Sequence, residues 1–418
     1  MFSKPALFLD RFFVALERNN RPQRPECCIR LVIEGSGEIE ESQLRAAVAR
    51  ASMAHPGSRL LLRRGRWVAS DRPVPVRVID YAGATDLRSD KLVCGYDFLH
   101  GPTCAVQLVR RPATRLMICA HHSVMDGRGV MSFAEDVFRC LRGESPVGAD
   151  DPIVYTDLAA PAAQPLQINR PSPAPLPVLP PATREEGYIS MRRSVRGPVP
   201  RVLPTVLHAL AARTFILSPN QTHCCFLVPA DLRAASKGVV STGNLASALQ
   251  IEVRRGEGPR TIAERIRRRL QDGEPASLIW RQSWQMWLLN RLPVTALRGF
   301  LGLLRWLRRR GLLGYMYTAS VSNLGRMPVA DYRAGAFVAE TSFCIPPAMS
   351  TAAILLMLAG NGDNVEVTLT ASRASADSEQ LSALLDSIED ALTGEFCSVE
   401  GRVGGVEDSS PTITSRAS

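Results

Sequence analysis

Lysine is almost absent from this chain of 418 residues: of its 50 basic side chains, only Lys4, Lys91 and Lys237 are not arginine. Aromatic residues make up 6%. Helix-turn-helix, zinc-finger and RNA-binding signatures are missing, which removes the usual supports for a nucleic-acid partner. No unbroken apolar run approaches the ~20 residues that a membrane-spanning helix needs. The first 16 residues are interrupted by Asp10 and Arg11 and lack a small-residue cleavage site, so they make a poor signal peptide. The ten cysteines comprise two adjacent pairs, Cys27-Cys28 and Cys224-Cys225, and scattered singles at Cys94, Cys104, Cys119, Cys140, Cys344 and Cys397. No C-x-x-C finds a matching partner, which argues against both a disulfide framework and a zinc ribbon. Several lie in apolar runs, where a free thiol packs as a small hydrophobe. A reducing cytoplasm is the expected compartment.

What is present is an ordinary globular balance, 45% hydrophobic and 22% charged, on a chain long enough for two domains of roughly 150–200 residues. The net charge is +10. Arginine forks suit phosphate and carboxylate groups, so an acidic partner such as coenzyme A or an acidic carrier protein is expected, although composition alone does not choose one.

Hydrophobic periodicity places strands at 28–33, 76–81, 103–109 and 115–121, a hairpin over 59–69 turning at Arg64-Gly65, and helices at 38–51 and 129–141. Prolines recur between Pro161 and Pro181 without periodicity, as in a stiff surface linker. Beyond it the pattern repeats. Helices are expected at 205–217, 259–271 and 378–392, and strands at 222–228, 248–253, 316–321, 351–359 and 364–371. The resulting division is a first lobe over 1–160, a linker over 161–182, a second lobe over 183–402 and a disordered polar tail over 403–418. The class is α/β (α+β). Residues 278–315 stand apart, with Trp280, Trp284, Trp287 and Trp306 among leucines and arginines. They read either as core helices broken at Pro293 or as a basic-aromatic surface for a membrane or a lipid substrate.

The most informative run is His121-His122-Ser123-Val124-Met125-Asp126-Gly127, on a loop between the apolar strand and the amphipathic helix at 129–141. Loops on a rigid scaffold carry much of protein chemistry. An imidazole titrates near neutrality, which suits a general base that takes a proton from a hydroxyl, amine or thiol. The chain has no G-x-S-x-G elbow and no convincing cysteine nucleophile. Acyl transfer from an already activated thioester requires neither. A zinc site is disfavoured because adjacent histidines point apart and no third ligand stands at metal spacing. His55, His100, His208 and His223 have no partners nearby in sequence and read as structural.

The loop resembles the HHxxxDG signature of the chloramphenicol acetyltransferase-like superfamily, which includes condensation domains, wax ester synthases and polyketide-associated acyltransferases. Weaker resemblances extend it from Asp10 to about Leu392: His55-Pro56 with Arg59, Val228 to Arg233 followed by Gly243-Asn244, and Ser322-Asn323-Leu324-Gly325-Arg326. The resemblance implies two chloramphenicol acetyltransferase-like lobes in a V, with the active site at their interface and no cofactor beyond the co-substrate. It makes His122 the base, His121 a support for the loop, and Asp126 a buried loop-shaping acid paired with an arginine. Arg326 is the first choice for that arginine, with Arg30 and Arg59 as alternatives. Gly127 would permit a tight backbone, with nearby amides polarising the thioester carbonyl. Ser322, Asn323 and Gly325 are candidates for substrate contact or simply for a turn at a strand end.

The implied activity is that of a free-standing, monomeric acyltransferase. It would move an acyl group from coenzyme A or an acyl carrier protein to a hydroxyl or amine of a small molecule or lipid, forming an ester or amide of secondary or lipid metabolism. A lipid-directed enzyme of the wax ester or diacylglycerol type, in peripheral contact with a membrane, is one alternative. A non-catalytic, carrier-binding relative is the other, although such a relative would be expected to lose the histidine.

Overall fold

The computed structural model describes residues 2–17, 27–80, 101–111, 113–149, 152–161, 174–178, 187–197, 199–235, 238–281, 287–349 and 352–394. The expected tail, most of the linker, His100, Cys94, Cys397 and Trp284 lie outside them. In the first half run β1 (Ser3–Pro5), α1 (Phe8–Leu16), β2 (Cys28–Ser36), α2 (Glu41–Ala54), β3 (Leu60–Arg63), β4 (Arg66–Ala69), β5 (Val76–Ile79), β6 (Cys104–Val109), β7 (Thr114–His121) and α3 (Gly127–Leu141). The second half runs β8 (Tyr188–Arg196), α4 (Val202–Leu217), β9 (His223–Asp231), β10 (Ala246–Arg254), α5 (Pro259–Gln271), α6 (Glu274–Arg281) and α7 (Val294–Arg309). It ends with β11 (Ala319–Arg326), β12 (Arg333–Ala334), β13 (Phe337–Ile345), β14 (Ile354–Asn361), β15 (Asn364–Ser372) and α8 (Ser378–Thr393).

Two six-stranded sheets organise two lobes, in the orders β12-β13-β2-β7-β6-β5 and β10-β9-β11-β14-β15-β8. In the first lobe the period-2 rule sorts each strand. Ile29, Leu31 and Ile33 of β2 pack with Val48 of α2 and Phe133 and Val137 of α3. Cys28 and Val32 face the other way, onto Met117, Cys119 and Phe343. Every residue of β6 and β7 is buried. The eight described cysteines are free, and all but Cys225 are buried. At the β3–β4 turn Arg64 (φ 48°) and Gly65 (φ 75°) are both left-handed, the backbone of a two-residue hairpin turn.

The second lobe is not the continuous 183–402 unit that the proline-rich segment suggests. After β11 the chain crosses back, and β13 pairs antiparallel with β2, Phe343 opposite Val32. The edge of β2 would otherwise expose a row of unpaired backbone groups, and β13 covers it. Met327, Tyr332, Phe337 and Ala339 thereby join the first lobe's core. Of the linker, residues 174–178 run against the second lobe: Ala174 bridges Tyr315, and Val178 is buried in that lobe's core.

Charged side chains cross between the sheets. Arg192 of β8 donates to Glu34 of β2 and to Glu366 of β15, each at 2.7 Å, and its guanidinium lies 3.9 Å from the Phe343 ring centre.

Candidate active site

β7 delivers His121 at its last position, and the chain then turns, with the Val124 amide donating to the His121 carbonyl at 3.0 Å. Asp126 caps α3, accepting from the Gly129 amide at 2.8 Å. The two histidines diverge. His121 Nδ1 accepts from the Ser123 amide (3.2 Å) and contacts the Ser123 hydroxyl (2.6 Å). Its Nε2 stands 3.4 Å from Glu17 Oε2, and Glu17 also receives the Cys27 amide. His121 is therefore turned into the structure and holds the loop.

His122 is wired differently. Its Nδ1 lies 3.1 Å from the Met125 carbonyl, and a carbonyl only accepts. Nδ1 therefore carries the proton, and in the neutral ring Nε2 keeps its lone pair. The His122 amide donates to the Cys27 carbonyl at 2.8 Å, and Asn244 Nδ2 donates to the His122 carbonyl at 2.8 Å. Phe13 of α1 stacks on the ring, 4.3 Å between centres and 24° between planes. Burial pushes the imidazole pKa below its ordinary value, and the nearby Asp126 charge offsets only part of that shift. The resting imidazole is neutral.

Asp126 does not pair with Arg326, Arg30 or Arg59. Its partner is Arg233, which follows β9 in the second lobe. Arg233 Nη1 lies 2.9 Å from Oδ2 and Nη2 3.3 Å from Oδ1, while the Leu245 amide donates to Oδ2 at 2.8 Å. Both side chains are under 10% exposed (9% and 7%). Arg233 also reaches Asp231 and the carbonyls of Ser241 and Gly243. Burial works against its charge, but the Asp126 and Asp231 carboxylates outweigh that and hold the guanidinium above its ordinary pKa. Arg326 sits at the exposed end of β11, beyond a bulge between Asn323 and Arg326. Arg59 is spent on the Ser52 and Ser70 carbonyls.

Gly127 does not occupy the left-handed region, so a tight backbone is not its reason. A Cβ there would meet Leu324 Cδ2 of the second lobe at 2.7 Å, and one on Gly129 would run into the Thr242 carbonyl oxygen. Both glycines let α3 approach the opposite lobe closely.

Between the lobes lies a cavity of about 170 Å³ lined by His122, Asp126, Gly127 and Met131 on one side and by Ser320, Ser322, Asn323 and Met357 on the other. Ser322 and Asn323 thus share this cavity with His122. Gly325 and Arg326 do not. They line a second, open cleft of about 1250 Å³ together with Arg201, Arg267 and Gly360, and Asn323 borders both spaces. Gly325 (φ 74°) forms the bulge, its amide donating to Asn323 Oδ1 at 3.0 Å.

Three contributors escaped the sequence reading. Arg233 and Asn244 fell in stretches noticed for resemblance but given no role there. Phe13 lies on the apolar face of a short helix near the start of the chain. That helix is anchored by Asp10, which accepts from the Leu7 amide at 2.9 Å and from Trp67 Nε1 at 3.2 Å. Burial pushes the Asp10 carboxyl up to about 6.

Protein-family models and curated protein sequences give no match to this chain. Solved structures do. The starter condensation domain of rhizomide synthetase RzmA, in complex with C8-CoA and Leu-SNAC, aligns over 94% of this chain and 94% of its own, at 15% identity and a TM-score of 0.59. The epimerization domain from the third module of tyrocidine synthetase B aligns over 94% and 98%, at 14% identity and a TM-score of 0.59. The condensation domain of the Monacolin K polyketide synthase MokA aligns over 94% and 97%, at 13% identity and a TM-score of 0.58. At such identities the likeness is one of fold: the chain has the two-lobed, chloramphenicol acetyltransferase-like architecture of condensation domains.

Proposed function

We propose that this protein is an acyltransferase that takes an acyl group from a coenzyme A or carrier-protein thioester and passes it to a hydroxyl or amine, with His122 as general base. The observation that carries this reading is the wiring of His122. A neutral imidazole, its Nδ1 proton committed to the Met125 carbonyl, lines a cavity between two lobes. The rhizomide synthetase domain that shares the fold is itself held with C8-CoA, which supports a thioester donor.

The chemistry needs no covalent enzyme intermediate. Nε2 of His122 takes the acceptor's proton as its oxygen or nitrogen attacks the thioester carbonyl carbon. The tetrahedral intermediate collapses with cleavage of the C–S bond, and the leaving thiolate recovers the proton from the imidazolium. Gly127 and Arg128 open α3 and line the cavity, so the positive end of the helix dipole stabilises the developing oxyanion. Ser322 and Asn323 position the substrate across from the base. The cleft bordered by Arg201, Arg267 and Arg326 is suited to the donor's phosphate, and Asn323 links it to the reaction cavity.

The test is a panel of acyl-coenzyme A, acyl-carrier-protein and acyl-N-acetylcysteamine thioesters offered with alcohol and amine acceptors, read by thiol release and product mass. Phosphate-bearing donors should react best. Their apparent affinity should fall as salt screens the arginines over a Debye length of ~8 Å at physiological ionic strength, while the small thioester reacts slowly and without that dependence. Equal efficiency for both donor types would refute the phosphate-reading cleft. Stable carrier binding without any thiol release would favour a non-catalytic protein.

A further inference from the structure

The apolar surface of this protein is unevenly spread. Met53, Val147, Ile216 and Val240 are exposed as isolated side chains, which is ordinary. By contrast Trp287, Leu288, Phe300, Leu303, Trp306 and Leu312 are 49–70% exposed within one short stretch of chain. That stretch is α7 with its two flanks. The helix begins directly after Pro293, which caps it and keeps it separate from the preceding segment.

α7 is apolar on two sides. Leu297 and Leu301, four residues apart, are buried against Phe13, Leu16 and Cys27. Phe300, Leu303 and Trp306 form a second stripe at a spacing of three and remain exposed. Arginines lie on either side of this stripe, with Arg291, Arg309 and Arg310 exposed, and between Glu274 and Asp331 the sequence holds no acidic residue. Arg291 lies over the Trp287 ring at 3.5 Å and Arg310 over the Trp306 ring at 5.4 Å, so charge and aromatic surface are presented together. No helix among the described residues is long and apolar enough to cross a membrane.

We infer that α7 and its flanks dock on an anionic lipid surface, with Phe300, Leu303 and Trp306 entering the headgroup boundary and the surrounding arginines meeting lipid phosphates. A basic polar face beside Trp, Phe and Leu is the composition of a helix that lies in the interfacial plane, and a carboxylate-free cationic segment gains most from a negative leaflet. A polar, acidic protein helix would satisfy the arginines but leave the apolar stripe facing charge. The position of this face gives docking a consequence, which rests on the acyltransferase reading above. α7 packs on α1, the Phe13 ring of α1 stacks on His122, and Met349 belongs to the same apolar cluster while lining the reaction cavity. The docked face is therefore the outer side of the wall beside the base, and a substrate with a long acyl or alkyl chain reaches the cavity from the bilayer.

The experiment uses the full chain with phosphatidylglycerol–phosphatidylcholine vesicles and with pure phosphatidylcholine vesicles, read by co-sedimentation and by the tryptophan emission maximum. Wild type should partition onto the anionic vesicles with a blue shift, and weakly onto the neutral ones. The triple variant Phe300→Ser/Leu303→Ser/Trp306→Ser, whose positions are exposed, should keep its melting temperature and its turnover of soluble substrates while losing vesicle partitioning roughly tenfold or more. Vesicle binding needs no turnover, so it stands or falls separately from the acyltransferase reading. Wild type remaining in the supernatant with anionic vesicles would overturn the inference, as would a triple variant that sediments like wild type. So would a triple variant that loses binding to an acyl carrier protein in a system where vesicles bind neither protein.

Discussion

His55 and His122 both lie close to α3, the first buried and the second half-buried, and they are wired in opposite ways. His55 Nε2 lies 2.7 Å from Asp136 Oδ2, and Asp136 also accepts the amides of Val147 and Gly148 at 2.9 and 2.7 Å. Burial disfavours the Asp136 charge, but those hydrogen bonds outweigh it and hold the carboxyl below its ordinary range. The whole unit lies in one lobe and fastens α2 to α3. His122 also has an aspartate close by, yet its ring bonds to a carbonyl, and Asp126 spends its oxygens on Arg233 and two amides. A carboxylate on an imidazole stabilises the imidazolium. Diverting it to the other lobe leaves the His122 imidazole neutral and uses the acid to join the lobes beside it. α3 thus holds the aspartate of a structural histidine–aspartate pair, and its N-cap, ten residues earlier, is an aspartate kept apart from the neighbouring histidine.

The sharpest way to break this comparison is to remove each ring. His122→Ala should lower turnover on the order of 10²–10⁴-fold in a protein that stays folded and melts only slightly lower, since the ring's losses are one bond to a loop carbonyl and its stack on Phe13. Asp126→Ala comes next. It leaves Arg233 buried without its main partner, at a cost of about 3–5 kcal/mol, and denaturant unfolding and turnover should fail together. His55→Ala should cost about 1–3 kcal/mol in the same unfolding experiment and leave kcat unchanged; a large loss of kcat in folded protein would erase the distinction. The smallest effect is expected from Arg326→Gln. Because Asp126 pairs with Arg233, this exposed change should stay within about 0.5 kcal/mol of wild type and raise only the KM for phosphate-bearing donors.

The histidine loop was legible because its strand, turn and helix are contiguous, and periodicity exposes each of them. The Arg64-Gly65 turn between β3 and β4 was legible for the same local reason. What escaped depends on distance along the chain. Asp126 and Arg233 are 107 positions apart, and several arginines satisfied the same chemical expectation. The crossing of β13 onto β2 was equally hidden: no strand is expected over 337–345 from the sequence, and local pattern says nothing of which sheet edge a segment will cover. The strand through Ser322 also runs further than its apolar part, since Ser322-Asn323-Leu324-Gly325 continues as a bulged edge beside β14.

The pH dependence of kcat/KM tests the central claim most directly, because the account requires His122 to be neutral and burial makes it harder to protonate. Its pKa lies below the ordinary 6.5, so activity should be level from neutral pH down through that value and fall with a single-proton limb only at lower pH. The unfolded chain takes up that proton first, so stability also declines as pH falls below 6.5 toward the folded value. Melting temperatures recorded alongside keep the two effects separate. The account predicts this acid limb in wild type and its disappearance from the residual activity of His122→Ala. A limb centred above 6.5, or one that survives in the folded His122→Ala protein, would contradict it.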